Sequence, residues 1–557
     1  MGGEPERRFF FRGRSRSVRD GETLLEALSR DGLPLLHRSI QYHRPQGPFC
    51  GIGHCTGCLV RVNGRPNVRA CRHEPAEGDV VSTENAWPSA NWDLLAAIGF
   101  LAPGGVDTLH GLRRPAFATR LYQRMVRRLA GTGTPPTSEA AQALAAPPVE
   151  RSCEVAIVGG GDAGRAVATA LVARGIHPVV LERRLRPAAV VGADLLPATT
   201  AVFLPSPPEG TPPQFTLLAF SEPARGVRLH VRSVVLATGG YDASLLFRGN
   251  DRPGVVSADA ALEFARPGAR SRPFRRAVVV GGGTRTAQVV ERCGDSVDAV
   301  VAPGEIRPEV VRAASDRGIL LYPRSLLLEA VGRRRVRAVR LRARGGRAAT
   351  TVACDAVVLA HRRVPNSHLF FQARAKMDWR PDVGAYFPVV RLDGATSVPG
   401  LFAAGSVAGV SPAEYSSSAE TVAAATAGTV GDRPAAPFRP VGASPPTELL
   451  GYYRELLRVP GHGRWVVCPC VDVLLSEVEE AVRSGYRGIE VIKRYSSLGT
   501  GICQGRYCLP DALLLLSILE NRPPSEVGYI TQRPPVVPTP LAAFAGYSPL
   551  PAVEEAP

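Results

Sequence analysis

Val155-Ala-Ile-Val158-Gly159-Gly160-Gly161-Asp162-Ala163-Gly164 reads as a strand that enters a glycine turn and leaves it as a helix, continuing to about Arg174. A second strand, Pro178–Leu181, follows and ends at Glu182, 18 residues beyond Gly164. This is G-x-G-x-x-G with the strand, helix, second strand and acid that give the motif meaning. Gly159 makes the turn. Gly161 lets a pyrophosphate approach the helix start at Asp162 and Ala163, where free N–H groups and the helix dipole favour an anion. Gly164 lets the helix lie close to the strand, and Glu182 can accept from ribose hydroxyls. The stretch predicts a bound adenine dinucleotide.

Working outward, short apolar strands alternate with helices from Cys153 to about Gly431, the pattern of a parallel sheet. Val234-Val-Leu-Ala-Thr238-Gly239-Gly240 is a strand closing on a small-residue turn, and Thr396–Gly405 ends in Ala-Ala-Gly405-Ser406. Both resemble signatures of two-dinucleotide-domain flavoproteins and point to FAD, although Ser406 stands where those proteins usually carry an acid for the ribityl chain. A second glycine loop, Gly281-Gly-Gly283-Thr-Arg-Thr286, follows the strand Ala277–Val280. Its third glycine position is Thr286, and the next strand, Asp298–Val301, runs into Ala302-Pro303 with no acid. NAD or another nucleotide could bind there, with Arg285 meeting a phosphate; a retained fold with a lost site is the favoured alternative.

Eight of the eleven cysteines fall into two constellations. Cys50, Cys55, Cys58 and Cys71 are spaced C-x4-C-x2-C-x12-C, the opening of a plant-type 2Fe–2S loop. Glycines 51, 53 and 57 let that loop turn sharply and aim N–H groups at sulfur. His54 is read as a loop residue, not a ligand. Cys468-Pro-Cys470 and Cys503-x4-Cys508, 32 residues apart, match the small helical 2Fe–2S domain of bacterioferritin-associated ferredoxin. A helix over Leu475–Ser484 lies between the pairs, and Lys493, Arg494 and Arg506 are expected as cationic donors near the sulfurs. Structural zinc is the alternative at both sites. Cys153, Cys293 and Cys354 stand alone and read as small core or boundary residues.

The domain reading is multidomain α/β. A ferredoxin-like β-grasp 2Fe–2S domain occupies 8–85, with a helix in Asp20–Leu28 capped by Asp20 and a strand Leu59–Val62 turning at Asn63-Gly64. A helical connector and Gly/Pro-rich linker span 86–150, and a Rossmann-like flavoprotein core spans 151–432, its second fold inserted at about 274–360. A linker at 433–449, a helical 2Fe–2S domain at 450–525 and a proline-rich tail at 526–557 complete the chain. The formal charge is +17, but lysine occurs only at Lys376 and Lys493 and the arginines are scattered, so no nucleic-acid partner is expected. No apolar run approaches the ~18 residues of a membrane span. Without an apolar signal core near Met1, a cytoplasmic protein is expected.

Arg38-Ser-Ile-Gln-Tyr-His-Arg-Pro-Gln-Gly-Pro-Phe-Cys50 resembles the N-terminal signature of the sarcosine oxidase alpha-subunit group, and Phe247–Val255 fits the same group. The order of parts is similar to the flavin subunits of hydrogen cyanide synthase, opine oxidases and heteromeric proline or hydroxyproline dehydrogenases. In hydrogen cyanide synthase the first iron–sulfur domain is a separate small subunit; here it is fused. The resemblance covers nearly the whole chain, without the folate-binding-like domain of sarcosine oxidase alpha subunits. It implies FAD, two 2Fe–2S clusters and a partner, a DAO-type flavoprotein beta subunit that oxidises the amine while this chain receives the electrons. No acid–base pair for amine chemistry is evident; His361 and His368 flank what resembles a structural turn. The rivals are a self-contained NAD(P)H-dependent reductase and a scaffold with a decayed flavin site.

Overall fold

The computed structural model describes residues 6–97, 148–203, 215–221, 225–269, 271–428, 446–537 and 539. Of the helical connector and linker expected over 86–150, residues 98–147 lie outside the described residues, as do residues 433–445 of the linker expected over 433–449.

The N-terminal domain is a five-stranded sheet in the order Arg14–Val18, Arg7–Phe11, Val80–Ser82, Leu59–Val62, Arg65–Arg69. Asn63 and Gly64 take positive φ, which closes the hairpin between the last two strands. The helix is shorter than expected, Leu24–Leu28, and its cap is Thr23, not Asp20. Thr23 and Glu26 form a reciprocal capping box, and Asp20 instead meets Arg186 of the core. A box satisfies two orphan N–H groups, whereas Asp20 lies too far upstream to reach one.

The first dinucleotide fold places Val149–Val158 between Val179–Leu181 and Arg225–Leu236, all parallel, with Leu401–Ala403 added beside Arg225–Leu236. The second is a parallel five-stranded sheet, ordered Val255–Ser257, Ala356–Leu359, Ala277–Val280, Val297–Val301, Leu320–Tyr322. The strand Val255–Ser257 and the helix Ala258–Phe264 belong to this sheet and its face, so the insertion begins near residue 255, not 274. The short run Val-Val-Ser has no periodicity by which to assign it.

The C-terminal domain rests on Leu509–Glu520, a helix with Leu513–Leu516 all buried. At ~1.5–3 kcal/mol for each buried leucine, this helix anchors the domain. The domain starts with the helix Pro446–Leu456, inside the stretch expected to be linker. The start of the proline-rich tail packs on this domain: Ile530, Gln532 and Val536 are buried, and Arg506 donates to the Val536 carbonyl at 3.0 Å. One apolar core joins Cys50 and Cys55 to the second fold and the C-terminal helices, and another joins the N-terminal sheet to the second fold. Among the described residues no helix is long and apolar enough to cross a membrane.

Candidate functional site

The glycine loop behaves as its spacing demands. Gly159 has φ +112°, and a Cβ there would lie 2.3 Å from the Ala237 carbonyl oxygen. A Cβ on Gly164 would lie 1.8 Å from the Gly159 oxygen, so the helix can approach only with glycine. At Gly161 a Cβ would meet nothing within 4 Å. That open space faces the start of the helix Asp162–Val172, which has no side-chain cap. The free N–H groups and the open cradle fit a pyrophosphate. Glu182 is held at the end of its strand by N–H groups of Gly160 (2.5 Å) and Arg184 (2.8 Å).

A cavity of about 330 Å³ opens from this loop and is lined by Gly159, Gly161, Glu182, Thr238 and Gly239. Asp162, Ala163, Gly164, Gly405 and Ser406 do not line it. Gly405, at φ +75°, abuts Ala163, and Ser406 lies beside Gly239, so these residues back the glycine loop from behind. Six arginines line the cavity: Arg69, Arg72, Arg183, Arg184, Arg363 and Arg506. His54, Asn366, His368, Arg69 and Arg506 line it too, and each has a buried polar side-chain atom without a hydrogen-bond partner. Such orphans carry a desolvation cost that a polar ligand would relieve. The cationic wall and the orphaned atoms fit an anionic dinucleotide such as FAD.

The first cysteine loop borders this cavity through Ile52, Gly53 and His54. All four of its thiols are buried. His54 and Cys55 each donate a backbone N–H to Cys50 Sγ at 3.3 Å, and Gly57 donates to Cys55 Sγ at 3.3 Å. Burial pushes the Cys50 thiol up, but the Cys55 thiol and the N–H groups of Ile52, Cys55 and His54 outweigh it and bring it down to about 6. Cys50 is therefore the position poised as thiolate, while the thiols of Cys55 and Cys58 are pushed well above the ordinary range, by their contacts with Cys50 and Cys71 and by burial. The loop's thiols stand in pairs, Cys50 with Cys55 and Cys58 with Cys71 (3.4 Å). Two pairs suit a two-iron cluster, in which each iron takes two thiolates.

In the second quartet the hairpin Val466–Cys468 with Val473–Leu474 presents Cys468 and Cys470, and Cys508 caps the helix Leu509–Glu520. Cys470 and Cys503 lie 3.2 Å apart, and Cys468 contacts both Cys470 and Cys508. These contacts hold the Cys468 thiol well below the ordinary range. A Cβ at Gly501 would fall 2.4 Å from Cys470 Cβ, so glycine there admits the ligand. Arg506 is buried beside Cys503, but Lys493 and Arg494 turn away to Glu490. Lys493 is half-buried and Arg494 exposed on the helix Ile489–Ser496, where Glu490 at helical spacing takes both.

The second glycine loop is differently used. Arg285 does not point at an open phosphate cradle; its guanidinium binds Asp242 (3.0 Å) and Asp259 (2.5 Å), which Arg363 also binds. A Cβ on Gly282 would lie 2.3 Å from the Glu305 oxygen, so the loop after Val301 closes over the glycines. The helix Pro446–Leu456 covers that loop in turn: Glu448 packs on Gly304, and Glu455 binds Arg344, which reaches the Pro303 carbonyl.

The sequence reading missed several residues here. Asp242 and Asp259 are shared by Arg285 and Arg363, and Asp472 accepts from the N–H groups of Gln41 (2.7 Å) and Tyr42 (2.8 Å). Tyr507 places its ring 5.0 Å from Phe49 and 5.3 Å from Tyr241, between the two cysteine sites. No local pattern marks them.

Three stretches match family models: a 2Fe-2S iron-sulfur cluster binding domain over residues 6–86, a pyridine nucleotide-disulphide oxidoreductase over 213–428 and a sarcosine oxidase A3 domain over 462–547. Fold, cavity and thiol pairs together define an iron–sulfur flavoprotein with FAD and 2Fe–2S as its cofactors. Within that class the chain is similar to the alpha subunits of sarcosine oxidase. The alpha subunit of sarcosine oxidase from Rhizobium meliloti (strain 1021) is 28% identical, over 97% of this chain and 57% of its own length. An opine oxidase polypeptide from Agrobacterium tumefaciens (strain Ach5) is 24% identical over 57% of this chain and 70% of its own. The chain thus spans little more than half of the sarcosine oxidase polypeptide it matches. In fold it is similar to L-proline dehydrogenase from P. horikoshii, with a TM-score of 0.67 at 20% identity, over 97% of this chain and 98% of that one.

Proposed function

We propose that this chain is the electron-accepting subunit of a heteromeric amine or imino-acid dehydrogenase or oxidase, working in the cytoplasm with a DAO-type flavoprotein beta subunit that oxidises the amine. One observation carries the reading: the cavity that fits FAD is walled on one side by the first cysteine loop and on another by Arg506, beside Cys503. Bound there, FAD supplies two-electron chemistry and the clusters take electrons singly. This chain's residues bind, orient and tune. Gly159, Gly161 and Gly164 shape the phosphate cradle, Glu182 sits at the ribose end, and Thr238 and Gly239 close the turn. Cys50, Cys55, Cys58 and Cys71 hold one cluster; Cys468, Cys470, Cys503 and Cys508 hold the other.

The cavity offers poor tools for amine oxidation. Its carboxylates are taken, Glu182 by backbone N–H groups and Asp259 by Arg285 and Arg363. Burial holds His54 and His368 well below the ordinary imidazole range, with nearby arginines adding to the effect, so both are weak bases. The orphaned polar atoms around Gly161 favour a working flavin site over a decayed one. The covered second glycine loop disfavours an NAD(P)H-dependent reductase.

The test is purification of the chain with and without a beta-type partner, followed by a screen of sarcosine, proline and opines with an artificial electron acceptor. Turnover is expected only in the complex. Amine oxidation by the isolated chain at about 1–1000 per second would overturn the division of labour.

A further inference from the structure

The two cysteine sites touch. Thr56 follows Cys55 in the first loop, yet its hydroxyl donates to Cys470 Sγ of the second quartet at 3.4 Å. Both residues are buried, at 7% and 8% exposure, so bulk water does not compete for that bond. Beside it lies a pocket of about 40 Å³, lined by Cys55, Thr56, Cys470, Tyr507 and Asn250 among others. Asn250 Oδ1 and Tyr507 Oη are buried without partners. A pocket this large, bordered by these two polar atoms, has room for an ordered water.

We infer that Thr56 is a positioning residue for the C-terminal cluster, setting its potential from the loop that holds the N-terminal one. This rests on the reading of both quartets as 2Fe–2S sites. The physical ground is simple. A hydrogen bond to a cluster thiolate withdraws charge from sulfur and stabilises the reduced, more negative state, which raises the potential. Thr56 is the side-chain hydroxyl that reaches Cys470, and it comes from the other site. Were each quartet to hold a 2Fe–2S cluster, an electron passing from the first to the second would oxidise one and reduce the other, with no proton or bond exchanged. The Thr56 hydroxyl on Cys470 Sγ would make that passage more favourable.

The experiment is an anaerobic redox titration of the full chain followed by electron paramagnetic resonance. Cys503→Ser assigns the two signals by removing one. Thr56→Val should keep both clusters, shift the C-terminal signal to a more negative midpoint and leave the N-terminal midpoint in place. Thr56→Ser, which restores a hydroxyl, should bring the midpoint back. Unchanged midpoints, both midpoints moving together, or loss of a cluster from Thr56→Val would overturn the inference. Stoichiometric zinc with no acid-labile sulfide in the unaltered protein would instead overturn the cluster reading beneath it.

Discussion

At Gly161 fold and ligand can be separated by one substitution. A Cβ there meets no protein atom within 4 Å, so the chain should fold with Gly161→Val unaltered in stability beyond about 1 kcal/mol of helix-start propensity. The side chain would fill the cradle, and bound flavin should be lost, read by visible absorbance after denaturation. Gly164→Ala is the contrast. Its Cβ would press on a backbone oxygen at 1.8 Å, so it should destabilise the core by about 1–3 kcal/mol in chemical denaturation. If Gly161→Val retains flavin, the pyrophosphate lies elsewhere. Metal content belongs to the same scale. The thiol pairs Cys50/Cys55, Cys58/Cys71 and Cys470/Cys503 with Cys468/Cys508 should hold about four irons and matching sulfide per chain, two irons per 2Fe–2S site.

Between elements, one buried ion pair fastens the C-terminal domain. Arg362, on the turn before the strand Arg363–Pro365, binds Asp511 of the helix Leu509–Glu520 at 2.8 Å, and Ser244 donates to the same carboxylate at 2.8 Å. Both charges are buried. Asp511→Ala leaves the guanidinium without its partner and should lower stability by about 3–5 kcal/mol. Urea unfolding followed by the C-terminal cluster's absorbance measures it; a loss under about 1 kcal/mol would mean Arg362 finds another acceptor. Such pairs explain what the sequence could and could not reveal. Both quartets and the first glycine loop were legible because each is written in a few residues at fixed spacing, whose chemistry needs no distant partner. Thr23 over Asp20 was a matter of register within one turn. Arg285 misled for a different reason. Its place at a helix start is the same whether it meets phosphate or carboxylate, and the deciding residues, Asp242 and Asp259, lie on other elements. Strand Val255–Ser257 is too short to announce its sheet, and only pairing with Ala356–Leu359 assigns it.

Across the whole molecule, the second dinucleotide fold serves as a platform. The N-terminal sheet packs on it from one side, the helix Pro446–Leu456 lies over its glycine loop, and the Asp242–Asp259–Arg285–Arg363 cluster pins it to the first fold. NADH or NADPH mixed anaerobically with the purified chain should therefore leave its flavin oxidised in stopped-flow absorbance. Bleaching at an ordinary enzymatic rate, about 1–1000 per second, would show a working second site. In the complex with a beta-type partner, Cys503→Ser should leave substrate reduction of the partner's flavin intact while slowing steady-state turnover with an external acceptor.

The clasp between the N-terminal and C-terminal domains also has a timetable. Arg44 binds Asp251 and Asp472, and the backbone of Gln41 and Tyr42 waits for the same Asp472, about 430 residues later in the chain. At roughly 5–20 residues per second, a ribosome needs on the order of 20–90 s to deliver it. The apolar face of the N-terminal sheet is covered earlier, by the second dinucleotide fold, while Cys50 and Cys55 wait for the C-terminal helices that share their core. Iron loading of the first quartet can begin during synthesis, but the contacts of Phe49 with Tyr507 and of Thr56 with Cys470 form only after those later residues are made. A cell short of iron, or one in which translation stalls late, should accumulate this protein bound to chaperones and lacking its clusters.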